Sequence, residues 1–282
     1  MQKHNITLEN IKYFSYKTKV ACLEMVHRSG ASHIGSCLSS ADILSTLYTE
    51  ILNVFPSDPE NSYRDIFILS KGHAAAILYA VLAEKGFFPK SWLNDYACNG
   101  SLLLGHASHL VPGVEVSTGS LGHGLPIACG MAMARRKDNN PSKVFVLLSD
   151  GELNEGSNWE SFLFAPHHRL SNLTVLVDYN KIQSFGYTNQ ILNLEPLGLK
   201  FQSFGWYVSE VDGHNIEQLL YALKNTRHCE IDRPHIIICN TVKGKGVSFM
   251  EDKLEWHYKS PNNDELEQAL AELKLYHETN IY

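Results

Sequence analysis

The sequence predicts an α/β fold with a doubly wound, mainly parallel sheet that carries helices on both faces. Two apolar runs, residues 144–148 and 173–177, have the length and composition of buried parallel strands, and a helical stretch separates them. Further strands and helices alternate along most of the chain. This alternation is typical of α/β proteins with a parallel sheet.

A helical segment opens the chain. It covers about residues 8–29 and ends at Gly30, a natural helix C-cap, after which comes a loop of small residues with His33. Either Ser39 or Ser40 is predicted to cap the second helix, because a serine hydroxyl can accept a hydrogen bond from a free N–H group at a helix start.

The first strand is predicted over residues 65–70, and it delivers Lys71 and His73 to the edge of the sheet. A helix over residues 74–85 follows, and residues 87–118 have no regular pattern. The later elements are predicted as helices over residues 119–136 and up to 169, strands over 206–211 and 235–240, and helices over 215–226 and 263–278.

Polar residues follow the two central apolar runs. Asp150 and Asn180 each lie just past a strand end, and a right-handed crossover would bring the two strand ends close together. A carboxylate, an amide oxygen and a nearby carbonyl are hard oxygen ligands, which suit a Mg²⁺ that also binds phosphates. The alternative is an ordinary strand-helix-strand unit with a capping aspartate and a turn asparagine.

Composition limits the classes of function. The 282 residues are 44% hydrophobic, and we expect one domain over residues 1–282. The net charge of −6 argues against a nucleic-acid-binding surface. No run approaches the ~18 apolar residues of a membrane span, and the N-terminus lacks the apolar core of a signal peptide. We therefore expect a cytoplasmic protein without a membrane or nucleic-acid partner.

Four histidines lie in predicted loops beside glycine or other small residues, namely His33, His73, His106 and His257. An imidazole titrates near neutral pH and can act as a general acid or base, but a loop histidine is often merely solvated. His106 and His109 form an H-x-x-H pair, yet no third ligand at zinc-like spacing accompanies them. Zinc is therefore not expected.

The segment SDGELNEGSNWE at residues 149–160, together with DYNKIQ at residues 178–183, closely resembles the thiamin-diphosphate signature of the transketolase family. Further segments resemble that family in its own order: SHIGSCLSSADIL, DIFILSKGHAAAILYAVLAEKG, PGVEVSTGSLGHGL and TVKGKGVSFMEDKLEWH. The resemblance covers nearly the whole chain and implies the family's thiamin-diphosphate-binding fold.

The resemblance implies thiamin diphosphate and Mg²⁺ as cofactors, with Ca²⁺ or Mn²⁺ able to take the place of Mg²⁺. The implied metal ligands are Asp150, Asn180 and the carbonyl of Ile182. The implied cofactor-binding residues are Lys71, His73, Gly119, Ser120, Leu121, Asp150, Gly151, Glu152, Asn180, Ile182, Lys243 and His257. The implied catalytic residues are His33, His73, His106, His257 and Glu155.

Two of these residues look ordinary without the resemblance. Lys243 lies in a glycine-rich basic loop, where the residues alone indicate a flexible segment and a solvated charge. Glu155 and Glu160 look like exposed helix charges. The resemblance places Glu155 at the contact with a second module that encloses the cofactor, so we expect it at a buried interface.

The resemblance implies transfer of a two-carbon ketol unit from a ketose donor, with a ketose phosphate as the implied donor, to an aldose acceptor. It covers only the diphosphate-binding module, so we expect the N-terminal subunit of a split transketolase, paired with a subunit carrying the pyrimidine and C-terminal modules in an α₂β₂ heterotetramer. One alternative is a subunit of another split thiamin-diphosphate enzyme, such as a 2-oxo-acid dehydrogenase, against which the histidines argue. The other is a cofactor-binding regulatory subunit without turnover.

Four positions depart from the family's usual pattern. Ser149 and Ser32 stand where the family has glycine, and His123 stands where it usually has glutamine. Tyr258 follows His257 where the family has glycine. The last three lie near the implied substrate channel, so they bear on the choice of sugars.

Overall fold

The computed structural model describes residues 2–228 and 231–279; the other positions of the predicted domain lie outside the described residues. The strands are β1 (Ile66–Leu69), β2 (Val144–Ser149), β3 (Leu173–Tyr179), β4 (Ile182–Gln183), β5 (Gly186–Tyr187), β6 (Tyr207–Asp212) and β7 (His235–Asn240). The helices are α1 (Gln2–Ser29), α2 (Ile34–Thr46), α3 (Ala75–Lys85), α4 (Gly124–Lys137), α5 (Gly156–His167), α6 (Thr188–Ile191), α7 (Leu197–Phe204), α8 (Ile216–His228) and α9 (Asn263–Thr279).

Five strands form one sheet in the order β1-β2-β3-β7-β6, and every neighbouring pair is parallel. The predicted α/β fold with a parallel sheet is therefore confirmed. In the register of the sheet Ser149 pairs with Asp178, and Asp178 pairs with Cys239. The carboxyl ends of the central strands thus meet at one edge, as expected for a ligand site of this fold class.

Both faces of the sheet are buried. Phe145 and Leu147 belong to the core that α1, α2, α3, α8 and α9 cover, whereas Val146 and Leu148 belong to the core under α4, α5 and α7. All four side chains are fully buried. Successive side chains of a strand point to opposite faces, so a continuous apolar run is what a sheet between two helical layers requires.

The prediction that Ser39 or Ser40 caps the second helix is wrong. The helix α2 already begins at Ile34, so both serines lie inside it and are fully buried. Each hydroxyl lies within hydrogen-bond distance of two acceptors, the Ser36 carbonyl and the carboxylate of Asp178, and shares its one proton between them. A serine inside a helix is tolerated here because a partner from another part of the chain accepts its hydroxyl.

The helix expected from residue 119 begins later, at Gly124, since residues 119–123 form a loop. Gly122 explains the delay, because its φ of +81° is a left-handed conformation that a helix cannot continue. A side chain at this position would also run into Glu155, whose Cβ lies 2.6 Å from an ideal Cβ on Gly122.

No helix in the part of the chain that the structure describes is both long and apolar enough to cross a membrane.

Candidate functional site

A cavity of about 210 Å³ lies at the carboxyl edge of the sheet. It gathers side chains and backbone from segments that are far apart in the sequence. Of the residues predicted for the site, its wall contains His33, His73, His106, Gly119, Leu121, Asp150, Gly151, Asn180, Ile182 and His257. Ser36, Ser149, Gln183 and Ser184 line it as well and were not predicted.

Asp150 is almost fully buried at the end of β2. Its carboxylate accepts hydrogen bonds from the backbone N–H groups of Gly151 and Lys181. Burial, and secondly the neighbouring charge of Asp178, raise the pKa of Asp150 to about 6. A cation beside this carboxylate would offset both effects, since an opposite charge favours the ionised form.

Asn180 follows β3, and its side-chain amide is held at both ends. The Oδ1 atom accepts from the N–H of Ile182 at 3.1 Å, and the Nδ2 atom donates to Asp178 Oδ2 at 3.3 Å. The oxygen is thereby oriented away from the Asp178 carboxylate. Each carboxylate or amide oxygen has a second lone pair, so these hydrogen bonds leave room for a metal bond.

The donor set fits a hard cation. Asp150, Asn180 and the Ile182 backbone border one cavity, and they offer carboxylate, amide and carbonyl oxygen. Among the described residues no group of three or more His, Cys, Asp or Glu side chains is placed to hold a metal ion. A Mg²⁺ held by few protein oxygens completes its octahedron with water and phosphate oxygens, which is the form this set favours.

Two glycines keep the cavity open beside these oxygens. A Cβ on Gly151 would lie 2.7 Å from the Cβ of Gln183, and a Cβ on Gly119 would lie 3.0 Å from the ring of His106. Gly119 also has a φ of +150°, which other residues rarely adopt. Bare backbone at both positions lets a ligand such as a diphosphate approach the main chain closely.

The four predicted histidines form one cluster around His33. Its ring centroid lies 5.2 Å from that of His73, 5.8 Å from that of His106 and 5.1 Å from that of His257. Burial is the main reason that the pKa of each imidazole is lowered, to about 4 for His33 and about 3 for His257. All four rings are therefore neutral at pH 7, and a neutral imidazole can accept a proton only at a ring nitrogen that no other group occupies.

Lys243, which the resemblance implies as a cofactor-binding residue, is completely buried, so the solvated charge that the residues alone indicate is excluded. Its Nζ lies 2.8 Å from Nδ1 of His257 and donates to the Ile182 carbonyl at 3.2 Å. Burial, with a contribution from the charge of Lys71, lowers its pKa to about 8. Because the ammonium donates to Nδ1, the neutral ring of His257 carries its proton on Nε2.

Lys71 does not line the cavity; its ammonium forms an ion pair with Asp178. Both side chains are fully buried. The carboxylate also accepts from Ser39 at 2.6 Å and from Thr241. Burial alone would raise the pKa of Asp178, but the charge and hydrogen bond of Lys71 outweigh it and hold the pKa below its usual value. Because Asp178 also accepts a hydrogen bond from the Asn180 side chain, this ion pair helps to fix the orientation of the Asn180 amide.

Sequence reasoning missed Asp178 and the serines bound to it. A weak signal was present, because a charged residue at the end of an apolar strand needs a buried partner. The identity of that partner, which lies 107 positions away in the chain, had no local signature.

Lys71→Met is expected to lower the free energy of unfolding by about 3–5 kcal/mol, because it leaves a buried carboxylate without its counter-ion. Urea denaturation of this variant measures the loss. Adding Asp178→Asn should recover part of it, and Lys137→Met, at an exposed position of α4, serves as the control. Equal stability of Lys71→Met and the control would contradict this account of the ion pair.

The remaining predicted residues lie outside the cavity wall. The Glu152 side chain is fully buried and accepts from the Ser70 hydroxyl and from Gly122 N–H at 2.9 Å, so it ties β1 to the loop before α4. Ser120, Glu155 and Glu160 are exposed in this chain. The contacts predicted for them with the cofactor or with a partner subunit would therefore be made at the outer surface of this chain.

Comparisons of the sequence and of the structure with known proteins all indicate the same family. The family model described as "Transketolase, thiamine diphosphate binding domain" matches residues 13–279. The chain is 43% identical over 277 residues to a subunit of the apulose-4-phosphate transketolase of Actinobacillus succinogenes, covering 97% of this chain and 99% of the relative. It is 39% identical to 6-deoxy-6-sulfo-D-fructose transketolase subunit SqwG of a Clostridium species, covering 89% and 92%.

Longer transketolases match over part of their length. Human transketolase is 36% identical over 94% of this chain but only 42% of its own. The crystal structure of Campylobacter jejuni transketolase superposes with a TM-score of 0.87 at 29% identity, over 95% of this chain and 43% of that one. The chain thus spans less than half the length of the solved transketolases it matches. On the family match and these identities, the chain belongs to the family of transketolase thiamine diphosphate-binding domains.

Proposed function

We propose that this chain is the cofactor-binding subunit of a split transketolase, which uses thiamin diphosphate and Mg²⁺ to move a two-carbon ketol unit from a ketose to an aldose. The observation that carries the proposal is that four neutral histidines line the same cavity as Asp150 and Asn180. The lengths of the relatives support a split enzyme, because this chain covers nearly all of two proteins named as subunits.

Asp150, Asn180 and the Ile182 carbonyl would hold the metal, and the backbone at Gly119 and Gly151 would border the diphosphate. Thiamin diphosphate, when bound, supplies the carbanion that makes cleavage next to a ketone feasible. The role of this chain is to hold the cofactor and the sugar in the relative orientation that the reaction needs and to prevent unproductive orientations. Both tasks require the rigid backbone that the buried Lys71 and Asp178 pair supports.

Proton transfer falls to the histidine cluster. When the C2–C3 bond of the donor ketose breaks, the C3 hydroxyl loses its proton and becomes the carbonyl of the departing aldose. A neutral imidazole accepts that proton and returns it to the acceptor's oxygen when the new bond forms. His257 has its proton on Nε2, because Lys243 occupies Nδ1, so its Nε2–H would be a hydrogen-bond donor to the sugar and not a proton acceptor.

The substrate class we propose is an anionic ketose. The relatives named for apulose 4-phosphate and for 6-deoxy-6-sulfo-D-fructose both take a sugar with an anionic group at one end. The two names share this feature although the sugars differ. We extend only the shared feature, an anionic terminal group, to this chain.

Replacing His33, His106 or His257 by alanine is expected to lower kcat/KM for ketol transfer by about 10²–10⁴-fold while changing cofactor affinity only slightly. The reason is that these rings act on the sugar and its protons. Steady-state kinetics with the reconstituted complex and calorimetry of thiamin diphosphate binding separate the two effects.

His109→Ala is the matched control, since His109 is exposed and bonds to Ser117 outside the cavity. Equal losses of cofactor affinity and turnover in all three cavity variants would contradict the assignment to proton transfer.

A further inference from the structure

His214 lies outside the cavity wall, and both nitrogens of its ring are engaged. Its side chain is 8% exposed. The Nδ1 atom lies 2.8 Å from Asp42 Oδ2, and the backbone N–H of Val242 donates to Nε2 at 2.9 Å. An ionised carboxylate can only accept a hydrogen bond, so Nδ1 carries the ring proton and Nε2 is the acceptor. The two contacts therefore select the same tautomer.

Asp42 is a fixed anchor for this ring. It lies in α2 and is 6% exposed. Its carboxylate also accepts from the Ser15 hydroxyl at 2.5 Å and from the Lys19 ammonium at 2.9 Å. Burial alone would raise the pKa of Asp42, but the charge of Lys19 and the contact with His214 outweigh it and hold the pKa well below its usual value. The carboxylate is therefore ionised and held by three donors.

The loop that carries His214 bonds to the chain just ahead of Lys243. This loop follows β6, and its Gly213 N–H donates to the Asn240 carbonyl, at the end of β7, at 2.7 Å. The bond from Val242 N–H to the imidazole follows two residues later, one residue before Lys243. The ring of His214 thus holds the backbone from which the Lys243 side chain extends.

Helix α2 supports both partners of the contact between Lys243 and His257. The backbone N–H of His33, the residue before α2, donates to the His257 carbonyl at 3.0 Å. The N–H of Gly244 donates to the carbonyl of Gly35, within α2, also at 3.0 Å. Because the anchor of the imidazole lies in the same helix, the two partners of the contact share one support.

We propose that His214 is a positioning residue for this contact. It holds the backbone before Lys243 so that the ammonium occupies Nδ1 of His257 and leaves the ring proton on Nε2. The inference rests on the proposed ketol transfer for its effect on rate, and it adds a residue that controls which nitrogen of His257 is protonated. If Val242 N–H loses its acceptor, Lys243 is no longer held at contact distance, and His257 also adopts the tautomer with its proton on Nδ1.

Two substitutions separate the two contacts of the ring. In His214→Asn the side-chain NH₂ group takes the place of Nδ1 and keeps the bond to Asp42, but no acceptor reaches Val242 N–H. In His214→Gln the longer side chain brings an amide oxygen to the position of Nε2, so Val242 keeps its acceptor. His109→Asn is the matched control, because His109 is exposed and bonds to Ser117 outside the cavity.

The first measurement is the tautomer of His257, read from the ¹⁵N shifts of its ring in the full chain labelled at histidine. A protonated ring nitrogen and a bare one differ clearly in shift, and His257→Gln identifies the signals. The unchanged chain, His214→Gln and the control are expected to carry the proton on Nε2 alone, whereas His214→Asn shows a mixture of both tautomers. This measurement does not depend on catalytic activity.

The second measurement is kcat of the reconstituted complex for transfer from xylulose 5-phosphate, at saturating thiamin diphosphate and Mg²⁺. Saturation excludes an effect of weaker cofactor binding. His214→Asn is expected to lower kcat about tenfold, because a misplacement of about 1 Å costs on the order of 10²-fold and the displacement expected here is smaller. His214→Gln is expected to keep kcat within about twofold of the unchanged enzyme.

Thermal unfolding shows whether the variants remain folded. A His214→Asn chain that keeps a single His257 tautomer and the kcat of the control overturns the inference. Equal losses in His214→Asn and His214→Gln also overturn it, because they would assign the effect to the ring itself or to Asp42 and not to the Val242 bond. If the unchanged complex transfers no ketol unit, the proposed function fails, and the tautomer measurement still decides the inference.

Discussion

Asp150→Ala is expected to lower the Mg²⁺-dependent affinity for thiamin diphosphate by about 100-fold or more. Substitutions that only disturb the orientation of metal ligands already cost about 10–100-fold, and this one removes the sole carboxylate of the proposed ligand set. The site is then left with neutral amide and carbonyl oxygens, which cannot balance a divalent charge. Calorimetry of cofactor binding by the reconstituted complex measures the effect.

The fold should survive this substitution. Asp150 lies past the end of β2, and its hydrogen-bond partners are the N–H groups of Gly151 and Lys181. Losing such bonds costs about 1–3 kcal/mol, which a domain of this size tolerates. Circular dichroism and thermal unfolding check this, with Asp138→Ala at an exposed position as the control. Unchanged cofactor affinity in a folded Asp150→Ala variant would exclude Asp150 as a metal ligand.

The isolated chain is expected to show no ketol transfer, with a rate at least about 10⁵-fold below that of the complex. The proposed site would supply oxygens for a metal and backbone for a diphosphate, and the chain spans 43% of the solved Campylobacter jejuni transketolase. Correct placement of a reactant contributes on the order of 10⁵-fold or more, and a half-held cofactor loses it. Purifying the chain alone and with its partner, then measuring transfer from xylulose 5-phosphate, tests this.

We propose an α₂β₂ assembly with the surface around Glu155 at the contact. Glu155 is exposed in this chain and lies over Gly122, next to the loop that borders the cavity. Glu155→Lys should therefore weaken assembly, since a mispaired charge in an interface costs several kcal/mol, roughly 2–5. Mass in solution measured by light scattering reports it, with Glu217→Lys on α8 as the control. For the preceding prediction, robust ketol transfer by the isolated 282-residue chain would rule out a split enzyme.

Much of the architecture could be predicted because it depends on local patterns. The run at residues 144–148 is apolar at every position, and only a strand buried on both faces requires this. The strand predicted over 235–240 coincides with β7, and the helix predicted over 74–85 corresponds to α3 (Ala75–Lys85). Such patterns depend on residues that are close together in the sequence, so they can be recognised without the tertiary structure.

The motif residues at the strand ends were also accessible from the sequence. Asp150 and Asn180 follow adjacent parallel strands, and parallel strands place their carboxyl ends at one edge. Spacing alone therefore predicted that these side chains meet. It could not tell a metal site from a capped turn, because both use the same residue types.

The sequence by itself thus determined the parallel sheet, its two helical layers and the edge at which the site lies. Only the tertiary structure decided which charges are buried and what they touch. Lys243 lies in a glycine-rich loop yet is fully enclosed against His257, and Ser39 lies inside a helix yet binds Asp178. Burial and ion pairing arise from contacts between residues distant in the chain, and no local pattern encodes those contacts.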